Sequence, residues 1–209
     1  GERDEPLLVL HGFPSSSYDY VAVLDDLRRT RRVLLLDFLG YGLSDKPDQP
    51  YTLGEQADVV VAFTAAMGVG RLALLSHDMG DTVGGELLAR QMEGHWPVDI
   101  TRRVLTNGSI YIGMAQLSPG QQLLLALPDE QMAVDAALDA MSVKAGLAAT
   151  FSPSSAVSET ELDAQWELIA CHEGHRLLPR LIRYIEERRR DESRYTGAIE
   201  AHPSPLHVV

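Results

Sequence analysis

The sequence is poor in several features that would define its class. It has a single cysteine, Cys171, which excludes an internal disulfide and favours a reducing compartment, the cytoplasm. No apolar run approaches the roughly 20 residues that a membrane-spanning helix needs. Lysine and arginine number 18 against 30 aspartates and glutamates, and the net charge is −12. This balance argues against nucleic acid and anionic membrane surfaces as partners.

Groups of metal ligands are also scarce. His172 and His175 have a loose metal-like spacing, but no second pair of ligands accompanies them. We therefore expect neither a metal nor another cofactor. The basic run Arg188-Arg189-Arg190 is interpreted as the solvated end of a helix, where positive charge is favourable, rather than as an anion site.

The residues that are present describe one globular core. Apolar residues make up 45% of the 209 residues, and charged residues make up 23%. Up to residue 107, short apolar runs alternate with stretches of helical pattern, which predicts a parallel sheet with helices on both faces. The predicted strands are 7–10, 33–36, 72–75 and 103–107, and the predicted helices are 18–29, 52–67 and 82–88.

The sequence is organised around Ser76-His77-Asp78-Met79-Gly80, where a buried strand must turn into a helix within two or three residues. Such a turn presents its apex residue, here Asp78, above the sheet at a helix N-terminus. Taken alone, an aspartate at this junction is most often a helix N-cap. As a nucleophile, it would attack a carbon atom and form an alkyl ester.

Two further loops end at the same edge of the predicted sheet. His11-Gly12-Phe13 follows the first strand and Asp37 follows the second. Ligands of parallel sheets bind at the carboxyl ends of the strands, so these loops and Asp78 are expected to meet there. This convergence favours the nucleophile over the N-cap.

The pattern changes after residue 107, where helical stretches follow one another with no clear strand. A run of helices inserted after a strand predicts a lid over the carboxyl ends. We therefore divide the chain into a core (1–107), a helical lid (108–200) and the start of a returning core strand (201–209). The predicted helices of the lid are 118–127, 129–146, 159–171 and 176–190.

Three motifs follow one another in register: His11-Gly12-Phe13-Pro14, Asp37-Phe38-Leu39-Gly40-Tyr41-Gly42-Leu43-Ser44 and Ser76-His77-Asp78-Met79-Gly80. They resemble the α/β-hydrolase fold, in the branch that contains epoxide hydrolases and haloalkane dehalogenases. Within this branch, Ser76-His77-Asp78, Asp37-Phe38-Leu39-Gly40 and the lid segment Leu181-Ile182-Arg183-Tyr184-Ile185 are most similar to the mesoderm-specific transcript proteins. The resemblance implies an α/β core with a mostly parallel sheet, an inserted helical lid, and a chain truncated at both ends.

The resemblance also implies roles for single residues. Asp78 corresponds to the nucleophile, and the backbone N–H groups of Phe13 and Met79 correspond to the oxyanion hole. Tyr184 is the first candidate for a proton donor in the lid, with Tyr111 and Tyr195 behind it. The residues expected to contact substrate or to hold the oxyanion loop are His11, Gly12, Phe13 and Trp166.

The expected reaction is hydrolysis of a small apolar epoxide by water. Met79 and Phe13 offer no side-chain donor for a halide, which makes haloalkane dehalogenation the second alternative. The family's base histidine and acid are expected beyond Val209, and Asn107-Gly108 cannot supply the acid. A non-catalytic binding protein with this fold is therefore the alternative from another class. The oligomeric state stays open.

Overall fold

A computed structural model describes residues 5–127 and 138–209. Within them, five strands form one sheet in the order β2-β1-β3-β4-β5, and every neighbouring pair is parallel. The predicted parallel sheet is confirmed. The strands are β1 (Leu7–Leu10), β2 (Val33–Leu35), β3 (Arg71–His77), β4 (Asp99–Thr106) and β5 (Leu206–Val208).

The apolar run of β1 divides its side chains between two cores. Leu8 and Leu10 join the large buried cluster, whereas Leu7 and Val9 join a smaller cluster with Ala73 on the opposite face. Successive side chains of a strand point to opposite faces, so a strand covered on both sides needs an apolar residue at every position. This explains why a continuous apolar run, rather than an alternating one, specifies β1.

The helices of the first half are α1 (Val21–Leu27), α2 (Leu53–Ala66) and α3 (Met79–Met92). The Thr52 hydroxyl caps α2 by accepting from the Glu55 N–H at 3.1 Å. Helix α1 is shorter than predicted because a 3-10 turn (Ser17–Tyr20) precedes it. Val21 and Val23 are 50% and 46% exposed, so its predicted apolar face is not buried.

Helices also fill the described residues between β4 and β5. The predicted helix 176–190 is divided, because a 3-10 turn (Cys171–Leu177) takes its first residues and Pro179 starts a separate short helix. The first part of the predicted helix 129–146 lies outside the described residues. The helices are α4 (Pro119–Ala126), α5 (Ala140–Ala148), α6 (Glu159–Ala170), α7 (Leu178–Leu181), α8 (Tyr184–Arg190) and α9 (Glu192–Ala201).

Helix α9 fixes this helical segment to the sheet. Tyr195 packs against Gly85 of α3, where an added β carbon would lie 3.2 Å from the Tyr195 side chain. Arg194 donates to Glu86 at 2.6 Å and to Glu93 at 2.7 Å. The preceding helix, α8, lies above the start of α3, where its Arg188 donates to the Thr82 hydroxyl at 2.8 Å. The division into a core and a lid stays a prediction, since one buried cluster contains residues of both.

None of the helices in residues 5–127 and 138–209 is long and apolar enough to cross a lipid bilayer.

Candidate functional site

Asp78 lies between β3 and α3 in a backbone conformation that non-glycine residues avoid, with φ 50° and ψ −116°. Such a conformation costs on the order of 1–3 kcal/mol and persists only when the surroundings enforce it. Here the Asp78 N–H donates to the Thr106 carbonyl at 3.0 Å, and the Asp78 carbonyl accepts from the Asp81 N–H at 3.1 Å. The turn is therefore held between β4 and the first turn of α3.

Two glycines allow the surrounding backbone to approach this turn. A β carbon on Gly80 would lie 2.5 Å from the His11 carbonyl oxygen, and one on Gly12 would lie 2.7 Å from the Asp78 β carbon. Neither clash could be relieved without moving backbone. The loop after β1 is thus brought into contact with the apex of the turn.

The Asp78 carboxylate has one partner at Oδ2 alone and a second partner near both oxygens. The Phe13 N–H donates to Oδ2 at 2.9 Å. The Tyr184 hydroxyl lies 3.4 Å from Oδ1 and 3.5 Å from Oδ2. Met79 is the first residue of α3, where a backbone N–H has no acceptor within the helix. The structure thus places both predicted oxyanion-hole residues next to Asp78.

Tyr184 is buried, and its ring lies 5.9 Å from that of Phe13. Burial, followed by the charge of Asp78, raises the pKa of Tyr184 well above its usual value, while Arg188 acts in the opposite sense. The phenol is therefore protonated at neutral pH and available as a hydrogen-bond donor beside the carboxylate.

His11 is hydrogen-bonded through both of its ring nitrogens in the loop after β1. Its Nδ1–H donates to the Gly12 carbonyl at 2.9 Å, and its Nε2 accepts from the Phe38 N–H at 3.0 Å. Burial lowers the pKa of His11, which favours the neutral ring. The Asp37 carboxylate, in turn, accepts from the N–H groups of Ser17 and Leu43, both at 2.8 Å.

Asp81 is a second buried carboxyl, one helical turn after Asp78. Its Oδ1 accepts from the Ser76 hydroxyl, and its Oδ2 has no hydrogen-bond partner among the residues the structure describes. Burial, with the charge of Asp78 acting in the same sense, raises the pKa of Asp81 to about 7. Gly108 packs on this side chain, since a β carbon there would lie 2.4 Å from Oδ2.

A small cavity of about 40 Å³ lies beside Asp78. Tyr184 and Arg188 form its polar end, and Ile112, Leu117 and Ile185 contribute apolar wall. The remaining lining residues are Ser109, Ala115, Gln116, Gln121 and Arg189.

Other predicted residues lie outside this cavity. Trp166 does not line it; α6 directs its ring toward His175, with 5.4 Å between ring centroids. The Tyr111 hydroxyl donates to Glu200, and Tyr195 packs on α3. Trp96 is buried and donates to the Thr64 hydroxyl at 3.2 Å.

A family model described as the alpha/beta hydrolase fold matches residues 5–185. The chain belongs to the α/β-hydrolase family.

Two relatives align with almost the whole of this α/β-hydrolase. The chain is 41% identical over 211 residues to a protein of Mycobacterium tuberculosis named as the hydrolase LipZ. This alignment covers 100% of the chain and 72% of LipZ. The chain is 34% identical over 210 residues to the human mesoderm-specific transcript homolog protein, covering 98% of this chain and 63% of that protein. The predicted α/β-hydrolase family and the predicted similarity to the mesoderm-specific transcript proteins are confirmed.

Solved structures show the same fold. The haloalkane dehalogenase DbeA-M1 loop variant from Bradyrhizobium elkanii superposes with a TM-score of 0.77 at 20% identity, covering 100% of this chain and 73% of that chain. The epoxide hydrolase CorEH superposes with a TM-score of 0.73 at 18% identity, covering 100% of this chain and 75% of that chain.

Sequence reasoning missed two residues of this α/β-hydrolase site. Arg188 was assigned to a solvated helix end, but its side chain is buried and lines the cavity, so that prediction was wrong for this residue. The available signal was its position four residues after Tyr184, which puts both on one helix face. Asp81 had a similar signal, three residues after Asp78 at the start of α3.

Proposed function

We propose that Asp78 is the nucleophile of a hydrolase that opens small epoxides through an alkyl-ester intermediate. The observation that carries this proposal is the contact of one carboxylate with both an oxyanion-type N–H, from Phe13, and the Tyr184 phenol. An ordinary N-cap aspartate would instead accept from the first turn of its own helix, and the Asp78 side chain makes no such bond.

In this proposal the two oxygens have different tasks, because only Oδ2 accepts from the Phe13 N–H. Oδ1 attacks an epoxide carbon, the ring C–O bond breaks, and the ring oxygen takes up the Tyr184 proton. Oδ2 stays on the Phe13 N–H and becomes the ester carbonyl oxygen. When water later attacks the ester, negative charge develops on this oxygen, where the N–H groups of Phe13 and Met79 support it.

The electrostatics of Tyr184 support this order of events. The Asp78 charge helps to raise the pKa of the phenol in the resting site. Ester formation removes that charge. Tyr184 therefore becomes a stronger acid at the moment when the opening ring oxygen needs a proton.

The helical segment above Asp78 is proposed to act as a lid that excludes water from this step. The water-activating base is not assigned to a described residue near Asp78, because both His11 nitrogens are engaged and the His77 Nδ1 is bonded to Thr106 at 3.0 Å.

The two tryptophans bear on the choice of leaving group. Halide binding in this branch uses side-chain N–H donors, but Trp96 lies in the core and Trp166 lies against His175. The phenol beside Asp78 instead suits an oxygen that needs a proton. We therefore propose epoxide opening ahead of haloalkane dehalogenation.

Intact-protein mass spectrometry with rapid acid quenching tests the proposal. The protein is incubated with separate panels of small epoxides and 1-haloalkanes, and any adduct is located by peptide mapping. We expect an epoxide adduct on Asp78 that the Asp78→Ala variant does not form. If only haloalkanes form adducts, dehalogenation rather than epoxide opening is the supported reaction. A folded protein that neither forms an adduct nor turns over any substrate would support a binding protein.

A further inference from the structure

Arg188 is a buried cation at the active-site cavity that forms no ion pair with a carboxylate of the described residues, although its charge acts on the nearby Asp81. Its side chain is 3% exposed. The Nε–H donates to the Thr82 hydroxyl at 2.8 Å, while Nη1 and Nη2 reach the carbonyls of Ser109 and Asp78 at 3.3 and 3.4 Å. Burial of a charge is costly unless strong partners compensate for it.

Two other arginines, the partly buried Arg90 and the buried Arg103, show what a purely structural role looks like in this protein. Arg90 pairs with Glu86 at 2.8 Å and with Asp58 at 2.6 Å. Arg103 has no acidic partner in the described part of the chain, but its donors reach three carbonyls at 2.7, 3.0 and 2.7 Å, and it does not line the cavity. Arg188 differs from these two arginines in its hydrogen bonds and in its position. Its two outer nitrogens make only long hydrogen bonds, and its side chain lines the cavity.

The position of the guanidinium relative to the reacting groups limits what it can bind. Its central carbon lies 4.9 Å from the centre of the Tyr184 ring, and Nη2 contacts the main chain of Asp78. A group bound by Arg188 would therefore lie next to the carbon that Asp78 attacks. The cavity is small, so this group must belong to a small substrate.

We propose that Arg188 binds a carboxylate on the substrate, so that the preferred substrates are small epoxides with a carboxylate next to the ring. The planar guanidinium matches a carboxylate in two parallel hydrogen bonds. It would also offset the repulsion between this carboxylate and Asp78. This inference rests on the proposed function, but its binding step can be measured separately.

The first experiment compares two probes of matched shape, oxirane-2-carboxylate and oxirane-2-carboxamide. The rate of ester formation on Asp78 is followed by intact mass in the wild-type protein, Arg188→Met and Arg188→Lys. We expect the wild type to react at least about tenfold faster with the carboxylate, since a hydrogen bond to a charged group contributes about 1.5–3 kcal/mol. Arg188→Met should abolish this preference, and Arg188→Lys should retain part of it.

Arg190→Met is the matched control, because Arg190 lies on the same helix but pairs with Asp191 outside the cavity. It should keep the wild-type ratio of the two rates. Equal wild-type rates for the two probes would overturn the proposal. So would an Arg188→Met variant that slows both probes by the same factor, because that result describes a residue that only supports the turn.

A binding measurement separates this inference from the proposed function. Propanoate and propanamide are titrated by NMR into Asp78→Asn and into the double variant Asp78→Asn with Arg188→Met. We expect propanoate to bind more tightly only when Arg188 is present, even if no epoxide alkylates the wild type. If only the epoxide alkylation fails, the proposed epoxide chemistry is wrong but the carboxylate site stands. Equal propanoate affinity in the two proteins would contradict the proposed carboxylate site.

Discussion

The smallest unit of the proposed function is the pair of Asp78 and Tyr184. Their contact is long, at 3.4 Å, and Tyr184 is almost fully buried. A substrate oxygen placed between them would replace this weak contact with a stronger hydrogen bond to the phenol. The resting site therefore loses little when the substrate enters.

Replacing Tyr184 with phenylalanine tests the role of this hydroxyl. We expect the rate of Asp78 ester formation from epoxides to fall by about 10²–10⁴, the usual contribution of a positioned acid. Alkylation by a reactive haloalkane should fall much less, because a halide leaves without a proton. The ratio of the two rates is measured by acid quench and mass spectrometry. An equal decrease for both reagents would contradict the proton-donor role and indicate a packing role.

Asp81 gives a prediction about pH. Burial, together with the Asp78 charge, raises its pKa to about 7 in the folded state, whereas it titrates near 3.9 when exposed. Between these values the folded state binds more protons than the unfolded state, so stability falls as pH rises from about 4 to about 7. Above pH 7 this contribution no longer changes. The shift corresponds to at most about 4 kcal/mol.

Asp81→Asn removes the ionisation while keeping the shape of the side chain. We expect the difference in unfolding free energy between this variant and the wild type to change over pH 4–7, with the variant gaining relative stability as pH rises. Urea unfolding at four pH values measures this difference. Asp25→Asn is the control, since the Asp25 side chain is 85% exposed and its variant should track the wild type. A pH-independent difference for Asp81→Asn would show that the carboxyl ionises normally.

At the scale of elements, the proposed function depends on the approach of α3 to β1. Gly80 at the start of α3 lies against the carbonyls of Leu10 and His11. Gly80→Ala should force the two elements apart, at a cost of at least about 1–3 kcal/mol. It should also slow ester formation by moving Asp78 relative to the Phe13 N–H. Thermal unfolding and the labelling rate measure the two effects.

Gly197 of α9 provides the matched control, because a β carbon there would meet nothing within 4 Å. Gly197→Ala should stabilise the protein by about 0.5–1 kcal/mol through the higher helix propensity of alanine. It should leave labelling of Asp78 unchanged. If Gly80→Ala behaves like Gly197→Ala, the contact between α3 and β1 is not needed to hold the nucleophile.

Whether the sequence predicts an element depends on how distinctive its pattern of apolar residues is. Strand β1 and the turn at Asp78 were predictable because a continuous apolar run and a strand-to-helix junction have few alternatives. Helix α9 was missed, since its sequence is polar and its buried face comes mainly from Tyr195, Ala198 and Ile199. Its stability comes from Arg194 and from packing on α3, and neither contact can be read from α9 alone.

The candidate site also has parts that the sequence predicts and parts that it does not. The loops after β1, β2 and β3 were predictable because parallel strands bring their carboxyl ends together. The position of Trp166 was not predictable. The buried face of α6 consists of Leu162, Gln165 and Ile169, and the direction of its other side chains depends on tertiary packing. Arg188 has the same explanation: the sequence shows a basic run, and only the fold shows which of its members is buried.

At the scale of the whole molecule, stability is distributed unevenly around the site. Eleven residues of α3 are buried, whereas α1 has none. Backbone amides in α1 should therefore exchange with solvent through local opening, while those of α3 and β3 need a much larger unfolding event. The strained turn at Asp78 lies between β3 and α3.

Hydrogen exchange followed by mass spectrometry measures this difference. We expect peptides of α1 to exchange at least about 100-fold faster than those of α3 and β3, which corresponds to about 2.7 kcal/mol of local stability. The unfavourable backbone at Asp78 would then be maintained even while α1 opens, so the nucleophile keeps its geometry during local fluctuations. Equal exchange in α1 and α3 would show that the described elements open as one cooperative unit, and the geometry of Asp78 would then depend on global stability alone.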